Sequence, residues 1–382
     1  MAGDCILCGK CLEVCPLINA TNREELGPRA KADLAALLSA DEGLLRGEDV
    51  ARLAGLCLGC HRCRAACSRG VDVPGLVAAL RGAHPDFRQW LWKTWLTNAK
   101  GLWATSSTAA KLIPESFRPE KFGPFLKMLA GLKGGPGLAP FLTPDTFPET
   151  FQGEKVLLFA GCTATHVQGR WLMTALRLLD GLGVEVLPGD FTCCGGGLRG
   201  AGCAEEAEHM ARRNLDVWRA AGRPRVVTFC ASCLSSLGNY ADFPNAAEQD
   251  QWRASLTPLS FLAKNIRFMV SANLPKHMGY HRPCHVDDAD SDFRFLQSVL
   301  AGHGGSSLVT TAAECCGFGG VMRLGAPELT DRVNRKCWDR LAGTDLVVTG
   351  CSACAAQLSA TAPEGVAVGH WLEIISEDAH VG

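Results

Sequence analysis

Ten cysteines fall into two sets of five with matching spacing. Cys162 is followed 31 residues later by the adjacent pair Cys193-Cys194, then Gly195, and then Cys230 and Cys233. Cys284 is followed after the same 31 residues by Cys315-Cys316, then Gly317, and then Cys351 and Cys354. The repeat marks an internal duplication. Thiolates are soft metal ligands, and five exceed what one zinc ion or one cubane cluster takes. Neighbouring side chains of the adjacent pair can reach different irons or share one, and Gly195 or Gly317 lets the backbone come close. An iron–sulfur centre is the chemistry this pattern suits best. A cubane with one spare thiol, or a redox-active disulfide between Cys230 and Cys233, are the other readings of the same residues.

Eight more cysteines lie near the start of the chain. Cys5, Cys8, Cys11 and Cys15-Pro16 form C-x2-C-x2-C-x3-C-P, and Cys57, Cys60, Cys63 and Cys67 repeat the spacing with Ser68 in place of Pro. This is the bacterial two-cluster ferredoxin run, in which the fourth cysteine of each run ligates the other cluster. The pairing gives Cys5, Cys8, Cys11 and Cys67 for one cubane [4Fe-4S] cluster, and Cys57, Cys60, Cys63 and Cys15 for the other. A tight turn presents three thiolates to one face of a cluster, and the fourth comes from elsewhere in the fold. Zinc is the competing metal, since C-x2-C pairs bind it too, but i, i+3, i+6 plus a fourth cysteine is not its usual pattern.

The elements that must hold these thiols can be read from periodicity. Lys31 to Leu38 has the spacing of a packing helix between the two runs, with Leu34, Leu37 and Leu38 on its face. From Trp90 to Trp103, one helical face would carry Trp92, Trp95, Leu96, Ala99, Leu102 and Trp103. That face suits core packing beneath the ferredoxin-like part, or docking on a partner or membrane. Gly131 to Pro148 reads as an irregular, partly extended linker. Beyond it, short apolar strands alternate with helices. Val156–Phe159, Val184–Leu187 and Val226–Phe229 lead to the cysteines of the first set. Gly279–His281, Leu308–Thr311 and Leu346–Thr349 lead to those of the second. The helices between carry Leu172, Ala175, Leu176 and Leu179 in one copy, and Phe293, Leu296, Val299 and Leu300 in the other. Further helices start near Ala204 and at Pro327, where Pro suits a first turn. Such alternation implies parallel sheets, with ligands just past the carboxyl ends of the strands.

The fold class expected is α/β. A helical two-cluster, ferredoxin-like domain over residues 1–86 precedes a Trp-rich helix and Gly/Pro linker over 87–150. Two duplicated cysteine-rich α/β domains with small parallel sheets then occupy 151–272 and 273–382.

Composition narrows the function. The 382 residues are 47% hydrophobic with a net charge of −1, which gives no basis for nucleic-acid binding through bulk charge. A chain this long does not need disulfide staples, so its 20 cysteines point to metal in a reducing, cytoplasmic setting. The start, MAGDC, has no charged-then-apolar leader, and no apolar run approaches a membrane span. Gly195-Gly196-Gly197 follows cysteine rather than a fingerprint strand and is a weak phosphate signal. His281, Arg282 and His285 flank Cys284, and could bind an anion, relay protons or tune a cluster through hydrogen bonds. Cys203 and Cys337 stand outside all four sets and read as packing residues.

The pattern of a cysteine, a CCG pair and a C-x2-C resembles the cysteine-rich (CCG) domain of the catalytic subunit of heterodisulfide reductase. In that family a complete set of five holds a noncubane [4Fe-4S] cluster. Two ferredoxin runs followed by two CCG domains resemble two relatives. One is the heterodisulfide reductase subunit that works beside a membrane cytochrome b. The other is the iron–sulfur subunit of glycolate oxidase or D-lactate dehydrogenase. Glu25 to Lys31 (ELGPRAK), Tyr280 to His285 (YHRPCH) and Gly369 to Ile374 (GHWLEI) look most like the glycolate oxidase type. The resemblance covers nearly the whole chain apart from Phe87 to Thr150. It implies two cubane clusters and one or two noncubane clusters, with FAD only on a partner subunit. It further implies electron transfer from an FAD-dependent lactate or glycolate dehydrogenase subunit to a quinone-reactive subunit or membrane carrier. The chain would sit in the cytoplasm, peripheral at the inner face of the membrane. Both five-cysteine sets are complete here, whereas the glycolate oxidase type often has incomplete ones. This keeps a second implication open, thiol/disulfide chemistry at a noncubane cluster beside a membrane cytochrome b. Zinc in the cysteine sets of a non-catalytic scaffold is the third.

Overall fold

The computed structural model describes residues 5–40, 49, 55–114, 123–132, 137–286, 290–301, 307–310 and 314–376. The chain divides into two units that interleave along the sequence. The first comprises Met1–Asn98, Gly195–Ala207 and Glu314–Arg340; the second holds Ala99–Cys194, Glu208–Ala313 and Leu341–Gly382. The chain thus leaves the second unit directly after Cys194, and the first unit takes in Cys315-Cys316.

The first unit is helical among the described residues. Short helices Lys10–Glu13, Pro16–Thr21 and Arg62–Ala66 follow cysteines, and longer ones span Pro28–Ala40, Val73–Ala83 and Phe87–Thr97. Local chemistry starts several of them. Pro16 opens its helix at the favoured first position. The Asp72 carboxylate accepts from Gly75 N at 3.1 Å, and Asp86 accepts from Gln89 N at 2.8 Å, so both satisfy free helix-start N–H groups. Later segments pack onto this core. Arg81 donates to Gly200 O, to Gly55 O at 2.9 Å and to Cys57 O at 2.8 Å. Gln89 Nε2 donates to Ala201 O at 2.9 Å, and Trp92 Nε1 to Gly197 O at 3.1 Å. The Trp92 ring also lies 6.0 Å from Phe318. The helix Pro327–Arg340 packs on Pro16–Thr21.

The expected packing helix between the two runs is present, and the expectation for the Trp-rich stretch is corrected. The buried face of the Pro28–Ala40 helix is Lys31, Ala32 and Ala35, with Leu34 half-buried; the side chains of Leu37 and Leu38 lie outside the described residues. The Trp-rich stretch does not form one helix with one face. It breaks at Asn98, whose φ of −106° and ψ of 30° end the helix Phe87–Thr97 before a second, Ala99–Leu112, begins. Trp92 is buried in the first unit and Trp103 in the second, while Trp90 and Leu102 face solvent.

The second unit is built on two four-stranded sheets. Strands β2 (Lys155–Phe159), β3 (Glu185–Leu187), β4 (Arg225–Thr228) and β5 (Leu256–Pro258) form one, in the order β3-β2-β4-β5. Strands β7 (His277–His281), β8 (Ser307–Thr310), β9 (Leu346–Thr349) and β10 (Ala367–His370) form the other, in the order β8-β7-β9-β10. All pairings within both are parallel, for example Leu157↔Val226 and Gly279↔Val347. The two orders are the same, so the duplication seen in the cysteines extends to topology. Periodicity finds three strands in each copy and misses the fourth. β5 is only Leu-Thr-Pro, too short to show a period.

The expected linker is also more structured than its composition suggests. β1 (Leu142–Thr146) pairs antiparallel with β6 (Arg267–Val270), and the register shifts between Pro144 and Thr146. Proline cannot donate to a ladder, which fits it to this small two-stranded sheet. Phe141 and Leu142 are buried in a core that also holds Val156, Leu178, Val227, Phe295, Val348 and Trp371. The central strands carry apolar residues facing both ways, as parallel strands covered on two faces require.

Candidate metal centres

In the first unit the two cysteine runs bend alike. Leu7 (φ 57°) and Gly9 (φ 80°) in one match Gly59 (φ 65°) and His61 (φ 57°) in the other. Left-handed residues at the same two positions curl each C-x2-C-x2-C so that its thiols turn to one side. Such turns gather backbone N–H groups into an anion-binding concavity, a device of iron–sulfur sites. Leu7 and His61 hold a conformation costly for residues with a side chain, and the spacing gives no sign of it.

The thiols group across the two runs. Cys5, Cys8, Cys11 and Cys67 line one cleft of about 520 Å³, open in part to solvent, and Cys63 borders it too. The Cys11 thiol is pushed up, first by burial and then by the nearness of Cys5, Cys67 and Cys8. Cys67 is held below the usual thiol range by backbone N–H groups of Val71, Arg69 and Gly70, as a thiolate ligand needs. Cys15, Cys57, Cys60 and Cys63 line a second cleft of about 370 Å³. There Cys63 is pushed up to about 12 by burial, then by Cys57 and Cys15. Gly59 N points at Cys57 Sγ, 3.5 Å away. Lys31, buried, lines this second cleft and donates to Leu26 O and Gly27 O.

In the second unit the first five-cysteine set gathers beyond the strand ends. Cys162 follows β2 in the helix Gly161–His166, the pair Cys193-Cys194 follows β3, and Cys230 stands just before the helix Ala231–Gly238 that carries Cys233. Cys162 Sγ and Cys193 Sγ are 3.8 Å apart. Cys233 is pushed well up through its contacts with Cys194 and Cys230 and by burial. The backbone of the adjacent pair is anchored by side chains the spacing did not single out. Asn214 Oδ1 accepts from Thr192 N at 2.8 Å, and its Nδ2 donates to Cys193 O at 3.1 Å and to Tyr240 Oη at 2.9 Å. Tyr240 Oη and Ser236 Oγ both donate to Cys194 O, at 3.2 and 2.9 Å. The tyrosine ring stacks on Trp252 at 5.8 Å.

For the second set, Cys351 stands just before the helix Ser352–Thr361 that carries Cys354, and Cys284 follows β7. Cys315 and Cys316 belong to the first unit. There Asn334 Nδ2 donates to Cys316 O at 2.8 Å, a counterpart of Asn214, and Gly317 N points at Cys315 Sγ at 3.4 Å. Gly195 and Gly317, one after each pair, are left-handed at φ 75° and 76°. A Cβ would lie 3.1 Å from Ala207 O at Gly195 and 2.5 Å from Thr330 O at Gly317, so both positions demand glycine.

Neighbouring thiols join some of these groups. The Cys63 thiol senses Cys11, and Cys60, pushed well up by burial, next senses Cys315. Within the second unit, Ala231 N donates to Gly350 O at 2.8 Å, which seats the two C-x2-C segments together. Cys230 Sγ lies 2.9 Å from Ser352 Oγ and 3.2 Å from Ser232 Oγ, and Cys351 Sγ lies 3.5 Å from Ser232 Oγ. Hydrogen bonds from Cys233, Cys351 and the two serines hold Cys230 well below the usual thiol range despite its burial. The signal for these serines is visible in the sequence as C-A-S-C and C-S-A-C.

The residues flanking Cys284 have definite partners. His281 Nδ1 is 3.2 Å from Thr349 Oγ1, His285 Nδ1 is 3.6 Å from Cys284 Sγ, and Arg282 Nε lies 3.7 Å from Asp290 Oδ2. Asp290 also accepts from Tyr280 Oη at 3.1 Å. Asp292 is buried with its carboxyl against Gly350, and its pKa is raised to about 8 by burial and then by Asp290. His370 is held at about 4 by burial; its Nε2 is 3.0 Å from Phe229 O and its Nδ1 accepts from Leu372 N at 3.3 Å. Cys203 and Cys337 are buried, and Cys337 is pushed up by burial and then by Cys315. Gly196 and Gly197 open a helix of 6 residues, too short to make a phosphate site.

The thiol groups fit iron–sulfur clusters better than single zinc ions. The ferredoxin-run cysteines line clefts, with N–H groups turned to sulfur, as cluster ligands require.

Comparison with known proteins agrees. A 4Fe-4S dicluster domain matches residues 1–71, and a cysteine-rich domain, CCG, matches residues 156–238 and 278–359. The glycolate oxidase iron–sulfur subunit of Escherichia coli is 23% identical over 98% of this chain and 93% of its own length. A subunit of the dihydromethanophenazine:CoB–CoM heterodisulfide reductase of Methanosarcina barkeri is 23% identical over 93% of this chain and 88% of its own length. An uncharacterized iron–sulfur protein of Methanocaldococcus jannaschii is 25% identical over 55% of this chain, and there the match spans only 42% of the relative's length. Among the described residues no helix is long and apolar enough to cross a membrane. The chain is a heterodisulfide reductase-like, CCG-domain iron–sulfur protein, a 4Fe-4S dicluster domain joined to two cysteine-rich domains, related both to that heterodisulfide reductase component and to the glycolate oxidase iron–sulfur subunit.

Proposed function

We propose that this chain carries electrons from a separate FAD-binding subunit, which oxidises a 2-hydroxy acid such as lactate or glycolate, towards a quinone or membrane carrier. Eighteen thiolates would hold the centres. Cys5, Cys8, Cys11 and Cys67 would hold one cubane, and Cys15, Cys57, Cys60 and Cys63 the other. The two sets of five would each hold a noncubane cluster. Iron–sulfur clusters supply one-electron steps, which suits taking a flavin's two electrons in turn. The observation that carries the reading is the succession of neighbouring thiols. Within the first unit Cys11 stands by Cys63 and Cys60 by Cys315, and within the second Cys351 stands by Cys230. The protein's part is to fix these thiolates, to aim N–H and hydroxyl donors at them, and to keep water from the inner ones. The likeness along almost the whole chain to a glycolate oxidase iron–sulfur subunit supports the donor. The test is anaerobic reconstitution of the full chain. It should bind on the order of sixteen irons, bind no FAD tightly, and accept electrons from lactate or glycolate only when the flavoprotein is added. Tight FAD binding by the chain alone would count against the reading.

A second reading has its own support, the meeting of Cys230 with Cys351 from two complete sets. Thiol/disulfide chemistry would then take place at a CCG centre, beside a membrane cytochrome b. It predicts an EPR signal of the oxidised protein that responds to added thiol and is lost in Cys194→Ser or Cys316→Ser. No response to any thiol would remove it.

A further inference from the structure

We infer that Lys31 sets the reduction potential of the second cubane, held by Cys15, Cys57, Cys60 and Cys63, above the value the four thiolates alone would give. This rests on the proposed ligand set. Lys31 sits on the Pro28–Ala40 helix, 7% exposed, and lines the same cleft as those four cysteines. Its ammonium donates to two carbonyl oxygens, Leu26 O and Gly27 O. Among the described residues no carboxylate pairs with it; burial draws its pKa below the ordinary lysine value, the neighbouring thiols Cys57, Cys15 and Cys63 act to hold its charge, and Arg81 is a further cation nearby.

A buried ammonium is costly to keep unless an opposite charge compensates it. A leucine at this place in the helix would pack the cleft without that cost. Four thiolates and their cluster carry a net negative charge that grows by one on reduction, so a nearby fixed cation stabilises the reduced state more than the oxidised one. The first cleft differs. Its cations, Lys10, Arg29 and Arg69, are exposed, so water and salt screen them. Arg81 is not an equivalent second source, because its guanidinium is spent on three carbonyls and it senses Asp86 as well as Cys57. The two cubanes are therefore electrically unequal, and the second is the better resting place for an electron.

The test uses the full reconstituted chain, with iron analysis and EPR-monitored redox titration. Signals are assigned by Cys8→Ser, which perturbs the first site, and Cys60→Ser, which perturbs the second. Lys31→Met should keep its iron and lower the equilibrium constant for reduction of the second cubane at least about tenfold, or about 59 mV for one electron. The first cubane should not move, and Lys31→Arg should restore most of the shift. The difference should persist at high salt. If Lys31→Met binds too little iron, Lys31→Gln gives the same readout with the carbonyl bonds partly kept. Unchanged potentials in a fully loaded neutral variant, or equal shifts at both sites, overturn the inference and leave the ligand set standing. Wild-type protein lacking iron at the second site overturns the ligand set itself, and the inference falls with it.

Discussion

The thiol of Cys230, from the first cysteine-rich copy, lies 2.9 Å from the hydroxyl of Ser352, from the second. The relation is nearly reciprocal, because Ser232 of the first copy lies 3.5 Å from Cys351. Each copy thus places a hydroxyl within hydrogen-bond reach of the other's sulfur, free to donate to it once that sulfur is a thiolate.

That exchange predicts crossed effects. A hydroxyl hydrogen bond withdraws charge from a ligating sulfur and favours the reduced state. Ser352→Ala should lower the potential of the centre bound by the first copy, and Ser232→Ala those of both centres, because Ser232 Oγ lies 3.2 Å from Cys230 and 3.5 Å from Cys351. One hydrogen bond of about 1 kcal/mol corresponds to about 40 mV. Redox titration of the two single variants measures it, and shifts confined to the mutated copy would refute the crossing.

Asp292 makes stability depend on pH. Its folded pKa of about 8 lies above its unfolded value near about 3.9, so its contribution is complete below the unfolded value and is lost as pH rises through 8. His370 works in the opposite sense. Its folded value of about 4 lies below the unfolded one near about 6.5, so its contribution is present above 6.5 and lost as pH falls. The two slopes oppose each other between about pH 4 and 6.5, and Asp292 acts alone between about 6.5 and 8. The protein should lose about 2 kcal/mol of stability across that upper window. Thermal unfolding of the loaded protein at several pH values should show the decline, and Asp292→Asn should flatten it.

Gly195 and Gly317 provide a graded test of the turns after the cysteine pairs. Alanine at either site must adopt a left-handed backbone, at about 1–2 kcal/mol. At Gly317 the new Cβ also meets Thr330 O at 2.5 Å, against 3.1 Å from Ala207 O at Gly195. Gly317→Ala should therefore cost more stability and more iron than Gly195→Ala. Melting temperature and iron content check the order.

Tyr240→Phe removes the hydroxyl that joins Asn214 to Cys194 O. The ring should keep its stacking on Trp252, while a buried donor on Asn214 is left without its acceptor. The expected cost is about 1–3 kcal/mol. A melting temperature equal to the wild type would show that the Asn214–Tyr240 link holds nothing in place.

Much of this protein is written locally. The cysteine runs, the glycines after each pair, and the short apolar strands before the thiols act within a few residues of each other, so spacing and pattern reveal them. The duplication shows for the same reason, since each copy repeats the same local instructions. The fourth strands are hidden because β5 has 3 residues and draws its stability from its neighbour rather than from a pattern of its own. The break at Asn98 is hidden because the Trp-rich stretch suits a helix on both sides of it. Lys31 in the sequence is one polar residue beside a leucine-rich run, and only packing reveals it as a buried charge facing thiols. Ser352 and Cys230 are 122 positions apart, so no local pattern could join them. Fold class and ligand types follow from short-range chemistry. The charges and donors that tune the ligands come from distant segments, and they meet only when burying the apolar strands brings those segments together.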